Sequence, residues 1–132
     1  MMYRSKHVSP RERFRGEEAQ RVNDSPTLAV KFPKLKGLTA DLRYADSGKA
    51  TVNSRIKYKM NIEVSKSVFR FSCPNSECVR GDFDLSEELA EAIAARRSTV
   101  AGEKSCPGWL SKTRIDSVHC RTILRYKLTL AY

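Results

Sequence analysis

Residues 55–64 read Arg-Ile-Lys-Tyr-Lys-Met-Asn-Ile-Glu-Val and carry the clearest structural signal in the chain. Every second residue of this stretch is apolar, namely Ile56, Tyr58, Met60, Ile62 and Val64. An alternation with a period of two is typical of a β-strand with one buried face, because successive side chains point to opposite faces of a sheet. The stretch therefore predicts a sheet with one apolar face and one charged face.

Three more segments extend the predicted sheet. Residues 38–44, 69–73 and 120–132 also alternate apolar with polar side chains, and Asp46-Ser47-Gly48 predicts a turn or loop within 45–54. Taken in order along the chain, these segments predict a small antiparallel meander of about four strands.

One helix is predicted over residues 84–97. Ser86, or Asp84 with Glu87 three residues on, can cap its start. Its apolar stripe comprises Leu85, Leu89, Ala92 and Ile93. Residues 102–116 are predicted as a loop. The fold class is then α+β, with one helix packed on the apolar face of the sheet and cysteine loops between the third strand, the helix and the last strand.

The length of 132 residues predicts one domain. Residues 1–27 are polar and rich in charge, and they are interpreted as a flexible basic N-terminal arm with a short helix over 16–22. Residues 28–132 are interpreted as a single α+β domain with a four-cysteine metal site. No apolar run matches a membrane helix or a secretory signal, which favours a soluble, cytoplasmic protein.

The charge is strongly basic and unevenly distributed. The net charge is +10, yet residues 73–105 hold seven acidic and four basic side chains. The predicted helix accounts for much of this acidic segment. A basic surface attracts polyanions, although excess charge also keeps small proteins in solution.

Four cysteines carry the main chemical hypothesis. Cys73 and Cys78 bracket a tight turn, Cys106-Pro107-Gly108 starts a second turn, and Cys120 opens the last strand. A structural zinc ion takes four thiolate or imidazole ligands, commonly as two pairs from two loops. The alternation along each strand places Cys73 and Cys120 on the inward face, whereas His119 falls on the opposite face. The pattern favours Cys73, Cys78, Cys106 and Cys120 as ligands of zinc, with plain buried thiols and redox chemistry as alternatives.

These four residues resemble the ligand sets of zinc-ribbon and zinc-knuckle modules, and Cys73-Pro74 is similar to the usual knuckle opening. The gap over residues 107–119 and the intervening helix depart from a simple ribbon. The whole chain also resembles short bacterial proteins of unknown activity, and this resemblance implies no activity.

The polar side of the predicted sheet suggests a function. It is expected to carry seven cations able to hold nucleic-acid phosphates, with no aromatic residue for base stacking: Arg55, Lys57, Lys59, Arg70, Arg121, Arg125 and Lys127. A merely solvated face remains an alternative reading. Trp109, in the predicted loop, is interpreted as a core residue.

Other functional classes receive less support. The Arg11-x-x-x-Arg15 pattern resembles the arginine motif of nucleotide-binding PilZ domains, but Asp41-Leu42-Arg43 and Asp46-Ser47-Gly48 do not match the second PilZ signature. No catalytic triad, carboxylate pair or phosphate loop is recognisable. We therefore expect a non-enzymatic, zinc-stabilised module that binds nucleic acid, or alternatively a scaffold domain with an acidic protein partner, as a monomer or homodimer and without a membrane partner.

Overall fold

The computed structural model describes residues 10–46, 52–75, 78–110 and 118–132. The helices and strands follow the chain in this order: α1 (Pro10–Asp24), α2 (Leu28–Lys31), β1 (Gly37–Asp46), β2 (Val52–Met60), β3 (Arg70–Ser72), β4 (Cys78–Val79), β5 (Asp82–Asp84), α3 (Ser86–Ala94), β6 (Thr99–Ser105), β7 (Trp109–Leu110), β8 (Val118–His119) and β9 (Thr122–Ala131).

The main sheet is antiparallel and four-stranded, in the order β2-β1-β9-β6. This confirms the α+β fold class. The predicted loop over 45–54 lies partly outside the described residues, and its described ends belong to β1 and β2. The predicted third strand is not part of this sheet, because β3 pairs with β5 in a separate two-stranded sheet.

The fourth strand of the main sheet is β6, and its residues 102–105 lie in the segment predicted as a loop. Its sequence, Thr-Val-Ala-Gly-Glu-Lys-Ser, shows no apolar alternation. The structure gives the reason at Gly102, where an added Cβ would lie 2.5 Å from the hydroxyl oxygen of Tyr126 on β9. The Tyr126 ring occupies the space that an inward side chain of β6 would fill, so the strand has no apolar pattern to detect. The remaining predicted loop is interrupted by the short strand β7.

The core lies between the inward face of the sheet and α3. Leu85, Leu89 and Ala92 of the predicted stripe are buried and belong to the same core cluster as Leu42 and Leu128 of the sheet. The helix is shorter than predicted and its N-cap is Leu85, which makes no side-chain cap hydrogen bond. Ser86 Oγ instead accepts a hydrogen bond from the Phe69 amide (2.8 Å), and thus joins α3 to the segment before β3.

The polar N-terminal segment forms the helix α1 from Pro10, and the short helix predicted over 16–22 lies within it. Phe14 is only 9% exposed, although its neighbours on the helix are exposed. Arg21 Nη2 pairs with Asp84 Oδ2 at 3.0 Å. Glu18 lies 3.3 Å from Arg70, so α1 contacts the β3–β5 hairpin through charged side chains.

Candidate metal centre

The first two cysteines lie at the end of the β3–β5 hairpin. Ser72 pairs with Asp82, and the next step beyond this pair is a hydrogen bond from the Cys73 amide to the Gly81 carbonyl (3.4 Å). Cys78 begins β4 within the same connection. The hairpin therefore returns the chain so that both sulfur atoms point into one space.

The last two cysteines lie at the end of the β6–β9 hairpin. Ser105 pairs with Ile123, and the Cys106 amide donates to the Thr122 carbonyl at 2.9 Å. Between the two cysteines, β7 and β8 pair with each other, and the Cys120 amide donates to the Gly108 carbonyl at 3.0 Å. The long sequence gap is thus an inserted hairpin that brings Cys120 back beside Cys106.

The four sulfur atoms form one cluster. All four lie within 4.8 Å of one another. The Cys73 and Cys120 sulfurs are 3.8 Å apart, and those of Cys78 and Cys106 are 3.6 Å apart. A tetrahedral zinc ion with metal–sulfur bonds of about 2.3 Å has ligand–ligand edges of about 3.8 Å. The two distances match these edges, and all four cysteines are free of disulfide bonds.

Two glycines make the close packing of the sulfurs possible. A Cβ at Gly81 would lie 2.4 Å from the Cys78 sulfur and 2.5 Å from the Cys73 Cβ. A Cβ at Gly108 would lie 2.6 Å from the same Cys78 sulfur. Neither glycine has a positive φ, so the lack of a side chain, and not backbone freedom, is what the site requires here.

The cluster is buried, and hydrogen bonds from neighbouring groups reach its sulfur atoms. Each cysteine is at most 5% exposed. The Gly108 amide donates to the Cys106 sulfur at 3.4 Å, which is the arrangement that stabilises a thiolate in a metal knuckle. The Cys120 thiol lies 3.4 Å from Thr122 Oγ1.

The electrostatics of the thiols favour a bound cation. A hydrogen bond from the Cys106 thiol lowers the pKa of Cys73 to about 5, whereas burial raises the pKa of Cys78 to about 12. The hydrogen bond to Cys73, together with burial, also raises the pKa of Cys106. One thiolate is therefore stabilised by its neighbours, and further ionisation needs a positive charge between the sulfurs. A divalent metal ion would supply that charge.

His119 and Trp109 lie outside the cluster. The two residues are directly opposite each other on β8 and β7, and both are exposed. Trp109 is 38% exposed, so its interpretation as a core residue is wrong. Its cross-strand neighbours are the buried Val79 and the exposed His119, so Trp109 lies at the border of the core.

The structure brings most of the predicted cations onto one face. β2 aligns with β1 and β9 so that Lys57 is opposite Asp41, which is opposite Lys127. The neighbouring row joins Arg55, Arg43 and Arg125. Arg121 is exposed just before β9. The outward face of the sheet thus holds these cations of the predicted set: Arg55, Lys57, Lys59, Arg125 and Lys127.

Arg70 lies elsewhere. It belongs to β3, its side chain is only 8% exposed, and its Nε pairs with Asp82 Oδ1 at 2.6 Å. Its other partner is Glu18 of α1. Arg70 therefore ties α1 to the first cysteine hairpin and does not face solvent with the sheet cations.

Sequence reasoning did not include Arg43 in the basic face, nor Gly81 in the cysteine site. Arg43 alternates with Leu42 and Tyr44 on β1, so the period of two already placed it on the polar side. Gly81 had no comparable signal, because its role depends on distances that only the folded hairpin creates.

The chain is thus an α+β protein with a buried cluster of four cysteines at the tips of two hairpins. Comparisons with protein-family models, with curated proteins and with solved structures found no match. In the described part of the chain, no helix is long and apolar enough to cross a membrane.

Proposed function

We propose that this protein is a non-enzymatic binding module that is stabilised by one structural zinc ion and contacts nucleic-acid phosphates through the outward face of its main sheet. The observation that carries the proposal is the alignment of cations from β2, β1 and β9 on one exposed face. The zinc ion is assigned a structural role at the other end of β9.

The choice of zinc rests on the ligand set. Cys73, Cys78, Cys106 and Cys120 offer four sulfur atoms and no water-accessible position, since all four are buried. Structural zinc sites are closed and four-coordinate, whereas catalytic sites keep a position for water. Soft thiolate ligands also disfavour magnesium and calcium, which prefer oxygen.

Several cations of the basic face are left without an ion pair on the protein itself. Arg55 pairs with Asp41 at 2.9 Å, and Arg125 pairs with Glu103 at 3.3 Å. The remaining cations make no ion pair with another described residue: Arg43, Lys57, Lys59 and Lys127. Unpaired cations on a rigid sheet are suited to phosphate contacts, because neutralising them releases counterions from the nucleic acid.

The face is suited to backbone contacts and not to base readout. Apart from Asp41 and Glu103, the outward residues beside the cations are small and polar, such as Thr39 and Thr129. The aromatic residues Tyr44 and Tyr126 belong to the buried inward face. We therefore expect weak dependence on sequence and strong dependence on salt.

Metal analysis tests the first half of the proposal. Protein purified without added metal should contain one zinc ion per chain, and its thiols should react with a thiol reagent only after chelation. A chain with no metal and four thiols that behave as ordinary buried groups would contradict a zinc site.

A salt-dependent titration tests the second half. The probe is a 20-base-pair DNA duplex, with polyglutamate as a polyanion that lacks phosphate. Four phosphate contacts predict a slope of about −4 for log K against log salt, and Lys57→Glu with Lys127→Glu should reduce this slope by about 2.

The matched control reverses two exposed charges away from the face, Lys34→Glu with Arg97→Glu, and changes the net charge by the same amount. This control should leave the slope nearly unchanged. No binding at low salt removes the nucleic-acid function and favours a scaffold role. Equal binding of polyglutamate points to an acidic protein partner.

A further inference from the structure

The strand β2 forms one edge of the main sheet and is unusually open. Among the described residues it pairs only with β1, and residues 55–59 are all exposed. An edge strand presents a row of backbone N–H and C=O groups that can pair with another extended chain. The pairing of β2 with β1 shifts register only near the start of β2, and residues 54–60 run in unbroken register, so this stretch has the form of a docking edge.

The inward side of this edge is apolar and only half covered. Ile56 is 39% exposed and Tyr58 is 40% exposed, whereas Ala40 and Leu42 beside them on β1 are fully buried. The Tyr58 ring is stacked on Phe71, with centroids 5.8 Å apart and an interplanar angle of 18°. An incoming strand would place its own inward side chains against the half-exposed Ile56 and Tyr58.

The outward side of the same edge is uniformly basic. Arg55, Lys57 and Lys59 succeed one another on the outward side of β2. In the described structure Arg55 makes the only ion pair of the three, with Asp41, and Lys57 lies opposite the same carboxylate. A second copy of β2 added antiparallel around Lys57 would set Lys57 opposite Lys57 and Arg55 opposite Lys59. Like charges directly opposite each other destabilise a strand pair, so the charge pattern disfavours a dimer through this edge.

We infer that β2 binds an extended acidic segment of a partner protein by strand addition. The segment would alternate acidic residues, which meet the three cations, with apolar residues, which cover Ile56 and Tyr58. Backbone hydrogen bonds give such docking its affinity, and the alternating side chains give it its specificity. This interaction is separate from phosphate binding, since it uses the backbone edge and the inward face as well as the cations.

The opposite edge of the sheet provides an internal comparison. On β6, the outward residues are Thr99, Ala101 and Glu103, and the inward face offers Val100 but no exposed aromatic ring. An acidic strand therefore meets no cation on the outward side of β6, since Lys104 is on the inward side and pairs with Glu88 at 2.8 Å. The inference is specific to one edge of the sheet.

The test uses the full chain and a fluorescent nine-residue peptide that alternates glutamate with valine. Two further peptides carry N-methyl groups, one on every glutamate and the other on every valine. Because alternate amides of a strand point to opposite sides, only one of these two sets faces β2. Strand addition predicts that one methylated peptide loses about tenfold or more in affinity, for two or three lost hydrogen bonds, while the other binds like the parent.

Two variants locate the binding edge. Ile56→Thr with Tyr58→Thr keeps β-forming residues and all cations, and it should weaken the peptide by about tenfold. Val100→Thr is the matched control on β6 and should have no effect. Equal thermal midpoints and metal contents will show that each variant is folded.

Either of two results would overturn the inference. The first is equal binding of both methylated peptides and the parent, which means attraction by charge alone. The second is a peptide that does not bind although a DNA duplex binds wild type and the Ile56→Thr/Tyr58→Thr variant equally. In that case the cations bind phosphates, and the β2 edge does not bind a partner strand.

Discussion

The two hairpins that carry the cysteines are held in very different ways. The first, β3–β5, has three residue pairs, from Arg70 with Asp84 to Ser72 with Asp82. The second, β6–β9, has seven pairs, and β9 also pairs with β1 along its whole length. The second hairpin is thus part of the main sheet. The first is joined to the rest of the chain by the two residue pairs of β4 with β7, by side chains and by whatever joins the four sulfurs.

The first hairpin compensates with a charged contact to α1. Arg70 is buried between Asp82 and Glu18, and Arg21 reaches Asp84. Arg80 lies over the ring of Phe14, with 4.8 Å between its guanidinium carbon and the ring centroid. From this comparison we expect a metal ion at the centre to stabilise the two halves unequally. The first hairpin and α1 should depend on the metal, and the sheet should not.

The largest effect is expected from the removal of a single cysteine ligand, in either hairpin. Cys73→Ala and Cys106→Ala should each abolish zinc binding and lower the free energy of unfolding by about 4 kcal/mol or more, as is typical for loss of a metal. Urea unfolding and metal analysis measure both effects. The double variant should be little worse than either single variant, because the metal can be lost only once.

Additive costs in the double variant would instead indicate four independent buried thiols. Cys→Ala in a plain core removes only a small side chain and costs less. That result would contradict the metal centre while leaving the fold intact.

Removal of the metal by a chelator should separate the hairpins without any substitution. We expect amide exchange in residues 70–84 and in α1 to accelerate by about tenfold or more, while β1 and β9 keep their protection. Hydrogen exchange followed by mass spectrometry measures each segment. Uniform acceleration along the chain would show that the centre stabilises the whole domain, and the contrast between the hairpins would then be lost.

A pair of glycine substitutions tests the packing at the cysteines. Gly81→Ala places a methyl group 2.4 Å from the Cys78 sulfur and should cost about 1–3 kcal/mol through overpacking, together with weaker zinc binding. Gly16→Ala is the matched control, since no atom lies within 4 Å of its added Cβ in α1. It should stabilise the protein by about 0.5–1 kcal/mol, because alanine favours a helix. Opposite signs are expected in thermal unfolding, and a neutral Gly81→Ala would show that the sulfurs have room to move.

The sheet was largely predictable from the sequence, because a half-buried strand leaves a period of two. β1, β2 and β9 carry that period, and β6 does not, since Gly102 lies under the Tyr126 ring. The length of a strand also limits what can be predicted. β3 has only three residues, so its alternation placed Arg70 on a polar side but held no information about which sheet it joins.

The sequence was enough to predict which cysteines form the cluster, but not how the chain brings them together. The phases of Cys73 and Cys120 pointed both inward, and both are buried. Cys106 and Cys120 were predicted as the second pair, but the β7–β8 pairing that brings them together was not, because its two-residue strands are too short to show any period. The α1 contacts were also hidden, because a single buried Phe14 on a polar helix produces no amphipathic pattern.

The smallest expected effect concerns the ion pair that joins α1 to the first hairpin. Burial opposes ionisation of Asp84, but hydrogen bonds from Ser86 and Arg21 outweigh it, so the pKa of Asp84 lies below its usual value. A lowered pKa in the folded state stabilises the protein above the unfolded pKa of about 3.9, and this contribution disappears as the pH falls through the folded pKa. Asp84→Asn should therefore lower the melting temperature at pH 7 by an amount that corresponds to about 1 kcal/mol or less, since the pair is partly exposed. The difference from wild type should shrink as the pH falls below 4.

The control for this prediction is Asp41→Asn on the open sheet face. It should change the melting temperature less than Asp84→Asn does, because the pair of Asp41 with Arg55 connects two strands that backbone hydrogen bonds already hold together. Equal effects at both sites would mean that α1 gains no more from its ion pair than the sheet surface does.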